Sequence, residues 1–427
     1  MIKRKLLLSL IKHLPKKEFS IIIGPRQSGK TTLMGMLQDR LAQEGEKTLY
    51  LNLDVEWDRP YFGSQQALIN KIELEFGKQK GFVFIDEIQR KENAGLFLKG
   101  LYDLNLPYKF IVSGSGSLEL KEQIHESLIG RKRLFQLTTV TFEEFINYKT
   151  NYKYKDSLLS FVEIETHKVL QLLTEYMNFG GYPAVVIETE QKEKLRIIDE
   201  IYRSVLEKDV AYLLKVEKTE AFSSLVRILS SQIGSLVNFS ELSSSLNISY
   251  QTLKKYLWYC RKIFILELVS PYFKNTRKEI TKSPVVYFWD LGLRNYALGL
   301  FGNLYSPAAA GFVFENLVFL LISEQIRLSS AKLNFWRTKD KAEVDFIIER
   351  GPDIIPVEVK YSSFKDVKIT RSMRSFIKKY EPPEAYIINL DLKKSINIGK
   401  TRLTFIPYYL FMFKALPRPE KGMNIEH

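Results

Sequence analysis

Phe19-Ser-Ile-Ile-Ile23, followed by Gly24-Pro25-Arg26-Gln27-Ser28-Gly29-Lys30-Thr31-Thr32, is the stretch that decides how this chain folds. A β-branched run that stops at a glycine reads as a buried strand. Apolar residues at helical spacing follow, in Leu33, Met34, Leu37 and Leu41. Gly24 to Thr31 is therefore G-x-x-x-x-G-K-[ST] in the strand–loop–helix setting that gives the pattern meaning. The glycines let backbone N–H groups curl around phosphate oxygens, and the helix N-terminus adds a fixed positive field. Gly24 through Thr32 are the expected nucleotide-binding residues. Lys30 would bridge the β- and γ-phosphates, and the Thr31 hydroxyl would ligate Mg²⁺.

Such a loop needs an acid to hold the metal's water shell. Gly81-Phe-Val-Phe-Ile85-Asp86-Glu87 supplies it. The apolar run reads as a central parallel strand, with Asp86 at its carboxyl end, where α/β sheets place ligands. Asp86 would hold Mg²⁺, and Glu87 would polarise the attacking water as general base. The next strand, Tyr108-Lys-Phe-Ile-Val112, ends in Ser113-Gly-Ser115, and either serine could sense the γ-phosphate. Arg131, in Gly130-Arg131-Lys-Arg133, is a candidate finger in cis or in trans, and a finger in trans would require a homo-oligomer. Asp54, at the end of Tyr50-Leu-Asn-Leu-Asp54, either approaches the site or caps a turn.

The rest of the chain divides by pattern. Residues 1–150 read as the ATPase core, 151–221 as a helical lid, 222–290 as a winged helix and 291–427 as a second α/β domain. Phe179-Gly180-Gly181-Tyr182-Pro183 breaks the lid and reads as a hinge. Ser240 and Ser249 read as caps of two short helices around an Asn247-Ile248 turn. Gln251, Lys254 and Lys255 would face the major groove, with Lys274, Arg277 and Lys278 on a wing against phosphates. The same module also serves as a protein-packing element.

Farther on, Glu315 interrupts an apolar helix at 312–328, and a buried carboxylate is costly unless paired or on a metal. Ala342-Glu343-Val-Asp345-Phe-Ile-Ile348 and Ile354-Ile-Pro-Val357-Glu358-Val359-Lys360 read as strands. Alternation puts Glu358 and Lys360 on one face. Asp345 and Glu358, with the Val359 carbonyl, could bind Mg²⁺, while Lys360 stabilises charge on a phosphate.

Composition agrees. The chain has 427 residues, net charge +14 and a single cysteine, Cys260, which excludes an internal disulfide or a cysteine zinc cluster and suits a reducing cytoplasm. Residues 1–225 hold 33 Lys/Arg against 31 Asp/Glu, whereas 226–308 hold 10 against 4 and 309–427 hold 20 against 14. A polyanion, DNA more readily than RNA, would meet the back half. Met1-Ile-Lys-Arg-Lys5 and the apolar Leu6–Ile11 read as an amphipathic helix rather than a leader. No apolar stretch reads as long enough to span a bilayer, so no membrane partner is expected.

The chain resembles the predicted AAA+ ATPases of bacteria and archaea that carry a C-terminal domain of unknown function with a PD-(D/E)XK-like core. The resemblance runs over nearly the whole length. It is carried by Gly24–Thr32, Phe84-Ile-Asp-Glu-Ile-Gln89, Ser113-Gly-Ser115, Gly130-Arg131 and Gly180-Gly-Tyr-Pro183. Farther on it rests on Tyr287-Phe-Trp-Asp-Leu-Gly-Leu-Arg-Asn295, Glu315-Asn316, Phe335-Trp-Arg-Thr338, Glu343-Val-Asp-Phe346 and Glu358-Val-Lys360. It implies ATP binding at Lys30, Thr31 and Asp86, hydrolysis through Glu87, and a nuclease-like metal site at Glu315, Asp345, Glu358 and Lys360. Where that family carries a proline-containing segment after Gly-Arg, this chain has Leu137-Thr-Thr-Val-Thr-Phe142, which weakens the finger assignment for Arg131 and leaves the last strand of the sheet to be placed there. Three readings follow. One is a Mg-ATPase driving a DNA-engaging back half that is itself a nuclease. The second is a nucleotide-switched regulator with a non-catalytic nuclease-like scaffold. The third is a protein-remodelling ATPase.

Overall fold

Phe19–Gly24 (β1) is buried along its whole length, as a strand covered on both faces must be. In the computed structural model, which describes residues 1–115, 128–206, 210, 218–273, 283–304, 306–338, 340, 342–414 and 416, two compact units are present. Unit 1 comprises Met1–Val140, Tyr182–Phe222 and Lys254–Ile265; unit 2 comprises Thr141–Gly181, Ser223–Leu253 and Leu266–His427. These units cut across the four spans expected from pattern.

Unit 1 is built on β1 with Thr48–Asn52 (β2), Gly81–Asp86 (β3), Tyr108–Ser115 (β4) and Lys132–Gln136 (β5). Among the described residues they form a parallel sheet in the order β2-β3-β4-β1-β5. β4 thus lies between the acidic strand and the phosphate-loop strand. The helix Lys30–Gln43 leaves the tip of β1 and buries Leu33, Met34, Leu37 and Leu41 against Ile22, Phe84 and Ile111. The helix Leu6–His13 adds Leu6 and Leu10 to the same core. The last strand is Lys132–Gln136, so the basic run after Gly130 is an edge strand, not a loop, and Leu137–Phe142 lies beyond it.

In unit 2, Leu266–Pro271 (β6), Val285–Phe288 (β7), Lys332–Arg337 (β8), Glu343–Arg350 (β9), Asp353–Val359 (β10), Glu384–Asn389 (β11), Lys394–Ile398 (β12) and Thr401–Pro407 (β13) form one mixed sheet. Its order among the described residues is β12-β13-β11-β10-β9-β8-β6-β7. β6 pairs antiparallel with β7 and also parallel with β8, at Ser270↔Asn334 and Pro271↔Phe335. The hairpin read as part of a separate winged helix therefore continues the sheet of the chain's last third. The wing residues Lys274, Arg277 and Lys278 lie outside the described residues.

Local chemistry corrects two expectations. The helix Phe239–Ser245 is capped by Asn238, whose side chain accepts the Glu241 N–H, and Ser240 lies inside it. Gly180 ends the helix Thr166–Phe179, as the sequence predicts, and packs closely on Asp290. Gly180 sits at φ 73°, a Cβ there would lie 2.4 Å from Asp290 Oδ1, and the Gly181 N–H donates to Asp290 Oδ2 at 2.8 Å. The helix Pro307–Ile326 does contain an 18-residue window, Ala309–Ile326, long and apolar enough for a span, with mean hydropathy 1.4. Half of that window is buried within the protein. Its Asn316 side chain is bonded to both the N–H and the carbonyl of Phe288. A core helix meets the same length and hydropathy criteria.

Candidate functional site

The phosphate loop of unit 1 is held from two sides. At Gly24 a Cβ would lie 2.0 Å from the Leu137 carbonyl oxygen, and Leu137 N–H donates to Ile23, so no side chain fits where β1 ends. Gly29 adopts φ 92°, which glycine adopts without strain, and starts the helix Lys30–Gln43. Gln27 also stands in the left-handed region, at φ 56°. The buried Arg4 guanidinium donates to Ser28 O at 2.9 Å, Thr138 O at 2.7 Å and Thr139 O at 3.1 Å. Lys30 Nζ lies within the loop, donating to Pro25 O at 2.7 Å and Gly24 O at 3.2 Å. Arg26 is half-buried, while Thr31 and Thr32 are exposed at the first turn. The buried Ser28 Oγ has no hydrogen-bond partner among the described residues. A backbone cradle flanked by two glycines, with a lysine in it and an orphaned buried hydroxyl, fits a phosphate group.

Asp86 is the hub. Its Oδ2 accepts the Thr31 hydroxyl at 2.7 Å and the Tyr50 hydroxyl at 2.8 Å. Its Oδ1 accepts the Glu87 N–H at 3.0 Å and the Ser113 hydroxyl. Of the two candidate serines, Ser113 therefore carries the contact; Ser115 pairs in register with Gly24 one strand over. Thr31 beside Asp86 is the pairing a Mg²⁺ ion would use, since that ion keeps several of its waters and needs few protein ligands. Glu87 follows at φ 55° and accepts the Gln89 amide. Burial, then the Asp86 charge, pushes its carboxyl above the usual range, while Lys30 opposes the shift. That direction suits a general base.

Asp54 borders the site: it is exposed and ion-paired with Arg90 at 2.7 Å, and its charge adds to the rise at Glu87. Arg131 is a correction. Its carbonyl accepts the N–H of Phe19, at the start of β1, whereas the phosphate loop is at the other end. Five residues of strand, roughly 16 Å, separate the two ends. Arg131 pairs there with Asp103 at 3.0 Å and cannot act as a finger on this chain's own nucleotide. Tyr50, Gln89 and Arg4 were missed. Tyr50 and Gln89 lie inside stretches read for their acids, and Arg4 inside a basic run, so only tertiary contacts single them out.

Unit 2 gathers the second constellation. β9 and β10 pair antiparallel with Phe346 opposite Val357, which sets Asp345 opposite Glu358 one step on. Asp345 Oδ2 accepts the Val359 N–H at 2.7 Å. Glu358 is buried, pairs with Lys360 Nζ at 2.9 Å and accepts the Thr370 hydroxyl at 2.7 Å. Glu315 accepts the Tyr287 hydroxyl at 2.7 Å. A Cβ on Gly234 would lie 2.7 Å from Glu315 Oε1. Burial first, and then neighbouring carboxylates, pushes Asp345 well above its usual range. Burial likewise raises Glu315 and Glu343. Lys360 is raised by Glu358, Asp345 and Glu315 against the opposing effect of its own burial. Glu343, Tyr287 and Gly234 belong to this cluster and were not singled out by sequence. Among the described residues, no three carboxylate, imidazole or thiolate groups stand together as a ready metal cage. Each of Glu315, Asp345 and Glu358 is bonded to a protein donor.

Residues 16–146 match the model described as AAA domain, 170–304 one described as Domain of unknown function (DUF8612), and 310–411 one described as Domain of unknown function (DUF4143). An uncharacterized protein of Haemophilus influenzae is 27% identical over 353 residues, 80% of this chain and 82% of its own length. One of Methanocaldococcus jannaschii is 26% identical over 343 residues, 79% of this chain and 73% of its own. Among solved structures, CDC6P from Pyrobaculum aerophilum aligns at 12% identity, covering 71% of this chain and 96% of its own, with a TM-score of 0.30. Replication initiator DnaA bound to AMPPCP and single-stranded DNA aligns at 14%, covering 61% and 90%, with a TM-score of 0.27. The sequence matches and the parallel sheet agree: this chain carries an AAA domain at 16–146, followed by a DUF4143 domain at 310–411.

Proposed function

We propose that the protein hydrolyses ATP with Mg²⁺ and couples its nucleotide state to a back half that engages DNA. The observation that carries the first part is the bonded set Thr31–Asp86–Ser113 with Glu87 beside it, at the tip of a parallel sheet and next to the phosphate loop. Lys30 and the loop N–H groups bind and orient the phosphates. Asp86 holds Thr31, Ser113 marks the γ-phosphate end, and Glu87 takes the proton of the attacking water. Mg²⁺, when bound, neutralises charge developing on the phosphates. Arg131 can serve only a second copy. The test is steady-state ATP turnover. Lys30→Ala is expected to abolish it, and turnover that survives would sink the assignment.

The second part rests on charge and exposure. The helix Tyr250–Lys262 leaves Gln251, Lys254 and Lys255 exposed, in a region of net positive charge. Salt should weaken DNA binding steeply if these contacts are to phosphates. The carboxylate–lysine cluster supports a nuclease-like fold. The internal bonding of Glu315, Asp345 and Glu358 favours a non-cleaving scaffold over an assembled cleavage site. Cleavage of labelled DNA with Mg²⁺ or Mn²⁺ that is lost in Asp345→Ala, with ATP turnover intact, would reverse that preference.

A further inference from the structure

Asp86 is fully buried and takes four donors, about as many as a carboxylate has lone-pair sites. Thr31, Ser113 and Glu87 each belong to a segment already assigned to phosphate, γ-phosphate or water. Tyr50 belongs to none of them. It stands on β2, and its ring stacks on Phe84 of β3, with centroids 6.0 Å apart and planes at 14°. Phe84 is fully buried, so the ring has a fixed platform two residues before Asp86. The phenol reaches the same oxygen as Thr31, at 2.8 Å against 2.7 Å. A phenol hydroxyl is an uncharged donor. A neutral donor can orient a carboxylate without adding charge that competes with a cation, as a lysine there would.

We infer that Tyr50 is a positioning residue for the magnesium–nucleotide complex: its hydroxyl fixes the Asp86 carboxylate against the Thr31 hydroxyl and so sets how much Mg²⁺ nucleotide binding requires. The inference rests on the ATP reading above. Tyr50→Phe in the full chain keeps the ring and its stacking and removes only the hydroxyl. The readout is the Mg²⁺ concentration giving half-maximal binding of a fluorescent ATP analogue. We expect it to rise about tenfold, the size of one hydrogen bond to a charged group. Binding without Mg²⁺ stays as in the parent. In an Asp86→Asn background the same substitution adds nothing, because the two residues act as a unit.

Several results would overturn this. An unmoved Mg²⁺ midpoint in Tyr50→Phe, with binding lost in Lys30→Ala, removes the Tyr50 role and leaves the ATP reading standing. Equal loss of binding with and without Mg²⁺, together with a lowered melting temperature, means a merely structural role. Full analogue binding by Lys30→Ala removes the ATP reading and this inference with it.

Discussion

Asp86 and Asp345 are both strand aspartates beside other carboxylates, and they are solved in opposite ways. Asp86 has one close acidic neighbour, Glu87, and takes three hydroxyls and a backbone N–H. Asp345 accepts the Val359 N–H and faces Glu315 and Glu358, with Lys360 as the cation among them. The first carboxylate has its oxygens occupied by uncharged donors. The second is crowded with like charge in a partly desolvated place and answers by holding its proton more tightly. Either site must give up internal hydrogen bonds to meet an added cation, and the second must shed protons as well.

The comparison can be broken at several points. The largest effect is expected at Glu87. Glu87→Gln should lower ATP turnover by about 100-fold or more, leaving nucleotide binding intact. In the parent, turnover should fall on acidification with a midpoint above the ordinary glutamate range, because the Glu87 carboxyl is raised and only its ionised form accepts a proton. Asp86→Asn comes next. It turns one acceptor oxygen into a donor facing two donors, so unfolding should become easier by about 2–3 kcal/mol in denaturant titration.

Asp345→Asn should have the opposite sign. A carboxyl raised in the folded state contributes stability that is present below its unfolded value and lost as pH rises through the folded one. Asparagine cannot ionise and escapes that loss. The melting temperature of the variant should exceed the parent's by about 2–4 °C at pH 8 and converge with it toward pH 4. A variant less stable than the parent at pH 8 would refute the crowding argument.

The smallest effect concerns His13, in unit 1. Burial, then Lys109 and Arg133, lower it to about 4, and it bonds Ser20 Oγ at 2.8 Å. Stability held by the neutral ring is present above 6.5 and lost as pH falls from there toward 4. Between pH 7.5 and 6 the melting transition of unit 1 should drop by about 1–2 °C, and His13→Gln should flatten that slope. His13 and Asp345 then respond to acid in opposite directions.

Much of unit 1 was legible because its signals are local. A glycine–lysine loop between a strand and a helix, and two acids after an apolar run, carry their meaning within ten residues. Ser113 was legible as one of two candidates, and strand order chose it. Arg131 misled because a basic run next to a glycine says nothing about which end of the sheet it occupies; that needs the parallel pairing of β1 and β5. In unit 2, alternation was enough to bring Glu358 and Lys360 to one face, where they form an ion pair. It could not say that Tyr287, Glu343 and Gly234 complete the cluster. Nor could it show that β6 and β7 extend the same sheet, because those contacts join residues tens of positions apart. The Ser240 cap failed for a smaller reason. Asn238 and Ser240 are both good caps, and only the backbone turn at Asn238 decides between them.

Unit 1 is assembled from three separate stretches of chain, the last ending at Ile265. During synthesis the phosphate loop leaves the ribosome among the first segments, yet its unit is complete only when residue 265 has emerged. At about 5–20 residues per second, the finished β1–β5 sheet waits on the order of ten seconds for Tyr182–Phe222 and Lys254–Ile265. A fragment ending near residue 150 would be the same intermediate made permanent. A single cut that keeps all of unit 1 on one side therefore carries Thr141–Gly181 and Ser223–Leu253 of unit 2 with it.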